Sequence, residues 1–134
     1  MKNKMLLLVS LAGSIFVFST WAYAHHSIAA TYQQDTQVEL AGRLVQFVFR
    51  NPHSFVHIEV GNPQGEKERW AVEWTGTAAL IQRGMDAASL RPGDQLVLTA
   101  YPSRAPGEKR ALMTSLNRPS DGLSWGKLPG EVVE

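Results

Sequence analysis

Val38, Leu40, Gly42 and Leu44 alternate with Glu39, Ala41 and Arg43, and an apolar period of two residues marks a strand with one buried face. The same period returns in short segments bounded by Gly and Pro, which favours a small antiparallel β-fold. After Gln46 the apolar set moves to Val45, Phe47 and Phe49, and such a phase change predicts a β-bulge or strong bend. Asn51-Pro52 then ends the strand. A second strand is expected from Phe55 to Val60, with Val56, Ile58 and Val60 on one face and Phe55, His57 and Glu59 on the other. After the turn residues Gly61 to Gly65, a third runs from Glu68 to Thr75, with Trp70, Val72 and Trp74 sharing a face. A hairpin register that sets His57 opposite Ala71 joins the two apolar faces. It also brings Glu59 beside Arg69 on the outer face, a favourable cross-strand pair.

Thr77 is placed to cap a short helix from Ala78 to Arg83 that stops at Gly84, and Asp86 to Leu90 reads as a second helical turn. Arg91-Pro92-Gly93-Asp94 suits a type II turn. Strands are expected at Gln95 to Tyr101 and Ala111 to Arg118, on either side of the loop Pro102 to Lys109. The fold class is therefore mainly β: a small five-stranded barrel of the oligonucleotide/oligosaccharide-binding (OB) type, with one short helix between strands 3 and 4. The alternative is an open antiparallel sheet packed on that helix. In OB barrels ligands usually meet the face of strands 2 and 3 and the adjoining loops. Here that surface comprises Phe55, His57, Glu59, Arg69, Ala71 and Glu73, and the adjoining loops are Arg50 to Ser54, with Asn51, and Pro102 to Lys109.

Residues 1–24 have the layout of a cleavable secretory signal: Lys2 and Lys4, an apolar run from Met5 to Phe18, then Ala22-Tyr23-Ala24 as a small-x-small cleavage pattern. The run is short for a membrane-spanning helix, which needs about 20 apolar residues. The expected organisation is a signal over 1–24, an arm over 25–37, the barrel over 38–118 and an extended tail over 119–134, in a periplasmic protein with no membrane contact after cleavage. The absence of cysteine leaves the domain to be held by packing alone. Cleavage leaves 11 basic against 12 acidic residues, a net charge of −1. Because nucleic-acid binding rests on clustered positive charge, this balance argues against nucleic acid as partner.

The four histidines fall in two places, His25 and His26 at the mature start and His53 and His57 around the second strand. A free terminal amine and the imidazole of His25 can chelate one metal, and imidazole suits copper and zinc. His53 and His57 lie on a strand, where four residues span roughly 13 Å, so they share no ion unless the chain kinks. His53, at the loop mouth, is positioned to meet the arm. The structural alternative is a His53 that bonds loop backbone and a solvated His25-His26 pair. Glu59 and Glu73 have the residue type for acid–base work, but outward strand carboxylates are commonly solvated or paired with a neighbour such as Arg69. Asn51 suits a cap of its own loop. No G-x-S-x-G, phosphate-binding glycine loop or H-E-x-x-H occurs, so hydrolytic chemistry has no support and the default is non-enzymatic.

Ala24-His25-His26-Ser27, Asn51-Pro52-His53-Ser54, Trp70-Ala71-Val72-Glu73, Leu80 to Gly84 and Leu90-Arg91-Pro92-Gly93-Asp94 follow one another in order. The set resembles a family of small secreted bacterial proteins of unknown function, with His-His-Ser at the mature start and Asn-Pro-His after the first strand. The resemblance implies export and fold, and draws attention to His25, His26, Ser27, Asn51, Pro52 and His53. Two functions are expected to compete. One is a periplasmic module holding copper or zinc through His25 and His53, helped by His26 or His57. The other is a non-metal envelope module with structural histidines, binding a small ligand or an envelope protein on the strand 2–3 face.

Overall fold

The structure is a computed structural model and describes residues 28–126. The expected signal segment, with His25, His26 and Ser27, lies outside the described residues, as does the end of the tail. Residues 28–31 are helical and belong to a separate unit that ends at Thr31. The second unit, from Tyr32 onward, is the β-domain.

Its elements are β1 (Val38–Val48), β2 (Phe55–Gly61), β3 (Lys67–Glu73), α1 (Thr77–Gln82), β4 (Gln95–Pro102), β5 (Arg110–Arg118) and β6 (Leu123–Gly126). The sheet runs β3-β2-β1-β4-β5-β6, and β3 pairs with β5 in parallel to close five strands into an OB-like barrel. The bulge implied by the change of phase in β1 is present, with a register shift between Leu44 and Gln46 against β2. The β2–β3 hairpin has the expected register, His57 opposite Ala71 and Glu59 opposite Arg69.

Gly42 pairs with both neighbours of β1, Val60 on β2 and Leu96 on β4. A Cβ there would lie 2.2 Å from the Glu59 carbonyl oxygen, so the close approach of the coiled strand needs glycine. The core takes the inward residues of each strand (Leu40, Leu44, Val56, Ile58, Val72, Leu96, Leu98, Leu116), joined by Leu80 of α1 and Leu90. Each such side chain contributes about 1.5–3 kcal/mol on leaving water.

Four expectations are corrected. The tail does not leave the domain at Pro119: Gly122 N donates to Arg118 O (3.0 Å), and β6 returns antiparallel along β5. Asp86 to Leu90 is not helical; the Asp86 carboxylate accepts from Ala88 N and Ser89 Oγ (both 2.9 Å), an Asx-type turn that competes with helix. Thr77 does not cap α1, because it is the first helical residue and Gly76 is the N-cap. The barrel unit also reaches back beyond Val38, for Tyr32 is only 2% exposed and bridges Ser103.

Candidate ligand-binding face

Three segments meet at the end of the β2–β3 face. The first is the Arg50 to Ser54 loop, whose Asn51-Pro52 peptide is cis. The Ser54 hydroxyl is fully buried and bonds both Arg50 N (3.3 Å) and Arg50 O (3.2 Å), which closes the loop on itself. Asn51 reaches across the domain, where its side-chain oxygen accepts from Thr77 N (3.0 Å) and Thr77 Oγ1 (2.9 Å). It therefore caps α1 rather than its own loop and is withdrawn from the ligand face. A Cβ on Gly76 would stand 2.6 Å from Pro52 O and 3.0 Å from Asn51 Oδ1, so the loop seats directly on the helix start. Asn51→Ala is expected to lower stability by about 1 kcal/mol, the usual cost of a lost cap. An unchanged denaturation midpoint would show that water replaces the carboxamide at no cost.

The second segment is the end of β3, where Glu73 is buried. Its carboxylate accepts from Tyr32 Oη (2.5 Å), from Arg110 Nη2 (2.5 Å) and from His53 Nδ1. Burial alone would push this carboxyl up. The bonds from Tyr32, Arg110 and His53, with the Arg110 charge, outweigh it and hold Glu73 below the usual carboxylate range. Conversely, burial first, then the hydrogen bond to Glu73 and its charge, push the Tyr32 phenol well up. The third segment is the start of β5, where parallel pairing sets Arg110 beside Ala71.

Between these segments lies an open cleft of about 450 Å³, lined by Val48, Arg50, Phe55, His57, Ala71 and Arg110. The Arg50 guanidinium lies 5.4 Å from the Phe55 ring centre and that of Arg110 5.8 Å from it, both at cation–π range. The far side of Arg110 meets Tyr32, again at 5.8 Å. The rings of Phe55 and His57 are 6.3 Å apart and within 20° of parallel, a continuous flat wall. Burial, then the charge of Arg69, pull His57 below the usual imidazole range, so the ring is neutral near pH 7. Among the described residues Arg50 has no ion pair, whereas Arg110 is tied to Glu73. The wall thus offers one compensated cation, one uncompensated cation and two stacked rings.

Of the residues expected on this face, Phe55, His57 and Ala71 line the cleft. Glu59 instead pairs with Arg43 on β1 (3.0 Å), and Arg69 faces Glu59 across the ladder; neither lines the cleft. Glu73 supports the cleft from behind Arg110 rather than standing in solvent. His53 turns to Glu73, and His57 stacks on Phe55. Among the described residues no group of three His, Cys, Asp or Glu side chains is assembled to hold a metal. No described helix is long and apolar enough to cross a membrane. Sequence reasoning missed Arg110, Val48 and Tyr32. Arg110 directly precedes an expected strand, and only barrel closure brings it to Ala71. Tyr32 carried no periodic signal at all.

A family model described as a family of unknown function, DUF6152, matches residues 14–112. The chain belongs to that family. No curated protein matches. Among solved structures, the chain is similar to mitochondrial single-stranded DNA-binding proteins from S. cerevisiae in two crystal forms. The first has a TM-score of 0.48 at 12% identity, covering 63% of this chain and 92% of that one. The second has 0.44 at 15%, covering 61% and 92%. The expected exclusion of nucleic acid is corrected here. The net charge of −1 on which the exclusion rested averages over the mature chain and does not describe any one face. Locally, the uncompensated Arg50 and the guanidinium donors of Arg110 stand beside stacked rings on one face.

Proposed function

We propose that this DUF6152 protein is an exported binding module whose β2–β3 cleft holds an anionic ligand with a planar ring. The observation that carries this reading is the pair of guanidinium groups, Arg50 and Arg110, set against one aromatic ring in an open cleft. A guanidinium presents paired N–H donors to an oxyanion, and stacking on Phe55 fixes its plane before the ligand arrives. The Phe55–His57 wall supplies a surface for the ring, worth about 1–3 kcal/mol per stacked base-sized group. Small aromatic acids and single-stranded nucleic acid both have this chemistry.

The test is calorimetric titration of the protein, purified after export, with benzoate, phenyl phosphate and a thymidine oligonucleotide. Loss of a charge-assisted hydrogen bond costs about 1.5–3 kcal/mol, so Arg50→Gln and Arg110→Gln should each weaken binding roughly tenfold or more. Arg83→Gln, at the C-cap of α1, should leave it unchanged. No saturable binding of any probe, or binding indifferent to both cleft arginines, would sink the proposal.

A second reading, a copper or zinc site on His53, is favoured by one contact. The ionised Glu73 carboxylate accepts a hydrogen bond from His53 Nδ1, and Nε2 is the other nitrogen of a half-exposed ring. A carboxylate behind Nδ1 is the usual support of a metal-ligating histidine. In the same calorimeter, tight one-to-one copper binding lost in both His53→Ala and His25→Ala supports this reading. Binding that survives His53→Ala retires it.

A further inference from the structure

Two arginines line the cleft, but they differ in electrostatic standing. Arg110 is clamped on three sides, by the Tyr32 ring, the Phe55 ring and the Glu73 carboxylate 2.5 Å away. Its charge is cancelled within the protein. Arg50 stacks on Phe55 alone, and among the described residues no carboxylate pairs with it. The third ionisable group of the wall, His57, is held neutral near pH 7 by burial and by Arg69. Outside the lining, Lys109 pairs with Glu68 at 2.8 Å, and Arg69 stands opposite Glu59, which Arg43 pairs at 3.0 Å. The lining of the cleft therefore presents two guanidinium donor sets and one uncompensated charge, on Arg50.

We infer that Glu73 is a specificity-determining residue: by cancelling Arg110 from behind, it fits the cleft to a planar ring bearing a singly charged oxyanion and disfavours a doubly charged one. This rests on the binding proposed above and names the charge class of that ligand. A monoanion can accept hydrogen bonds from both guanidinium groups while neutralising the one free charge. A dianion brings a second charge that must be stripped of water with no cation to meet it, facing the Glu73 carboxylate just behind the wall. The singly charged oxyanion can be a carboxylate on an aromatic acid or a phosphodiester in a nucleic-acid strand.

The experiment compares benzoate, phthalate and phenyl phosphate at about pH 8, where a phosphate monoester with a second pKa near 6 is a dianion. A thymidine dinucleotide supplies one phosphodiester charge. In the wild-type protein benzoate or the dinucleotide should bind at least as tightly as phenyl phosphate, and the second carboxylate of phthalate should gain nothing. In Glu73→Gln the freed Arg110 charge should shift the ratio toward phenyl phosphate by about tenfold or more. The inference fails if wild-type protein prefers phthalate and phenyl phosphate by about tenfold, whatever the variant does. It also fails if a folded Glu73→Gln protein leaves the ratio where it was. Binding by benzoate alone, or by the dinucleotide alone, supports the charge rule and identifies the source of the oxyanion. Silence from every probe, by contrast, overturns the binding proposal beneath it and the charge rule with it.

Discussion

Glu73→Ala is expected to lower the unfolding free energy by about 3 kcal/mol, a large share of the 5–15 kcal/mol typical of a domain. The carboxylate is buried and takes three donors from three segments: Tyr32 ahead of β1, His53 in the β1–β2 loop and Arg110 at the start of β5. Removing it orphans a buried phenol and leaves a guanidinium between two rings without its counter-ion. Loss of one partner of a buried ion pair costs about 3–5 kcal/mol. The lower end applies because the Arg110 side chain is 38% exposed and regains some water. Chemical denaturation should show the midpoint falling with an unchanged slope. Combined with Tyr32→Phe, the losses should be less than additive, since both act on one network. A loss below about 1 kcal/mol, within the range of ordinary surface changes, would mean that the three donors find water in the native state.

The same network fixes how stability follows pH. Glu73 has a folded-state pKa below its unfolded value, so its contribution is fully present above about 4.3 and is lost as pH falls through the lower folded value. Tyr32 is shifted upward, so its contribution is fully present below about 10 and is lost as pH rises toward the folded value. Glu73→Ala should therefore flatten the acid limb of the stability curve, and Tyr32→Phe the alkaline limb.

Which parts of this molecule are legible in sequence follows from how local their causes are. The five barrel strands, the β1 bulge and the β2–β3 register come from period-two patterning within a dozen residues or fewer. The β1–β2 pairing and the Leu44/Gln46 shift appear where the change of phase puts them. β6 escaped because Leu123-Ser124-Trp125 is too short to show a period, although Pro119 to Gly122 is a turn signal. The cleft was half legible. Alternation alone places Phe55, His57 and Ala71 on one outward face, but Arg110 joins them only through the parallel β3–β5 closure. Glu73 and Asn51 were noticed for their chemistry and assigned to the wrong partners, because both reach segments more than 20 residues away. A side chain whose partner is fixed by tertiary closure leaves no local trace.

Trp74→Ala is expected to cost about 3–5 kcal/mol, the range for deleting a buried large aromatic and leaving a cavity. Trp74 stands one residue past β3 with its ring 2% exposed, while its backbone N–H is tied to Ser54 O (2.8 Å). The ring meets Phe47 at 5.9 Å and Trp125 edge-on at 5.2 Å and 82°, so it joins the bulged strand β1 to β6. Among the described residues β6 pairs with β5 alone and has four residues, and beyond Trp74 the Trp125 ring meets the Arg83 guanidinium at 5.7 Å. Amide exchange along Leu123–Gly126 should therefore quicken in Trp74→Ala before global unfolding, as expected of a low-stability local unit. Trp74→Phe separates shape from polarity. Among the described residues the buried indole N–H of Trp74 finds no hydrogen-bond partner, an unsatisfied donor worth about 1–3 kcal/mol against the fold. Phenylalanine gives up ring volume and removes that donor, two effects of opposite sign, so Trp74→Phe should stay within about 1 kcal/mol of wild type. If it proves as damaging as alanine, the indole N–H has a partner that only the folded protein in water supplies, and polarity rather than packing holds β6 in place.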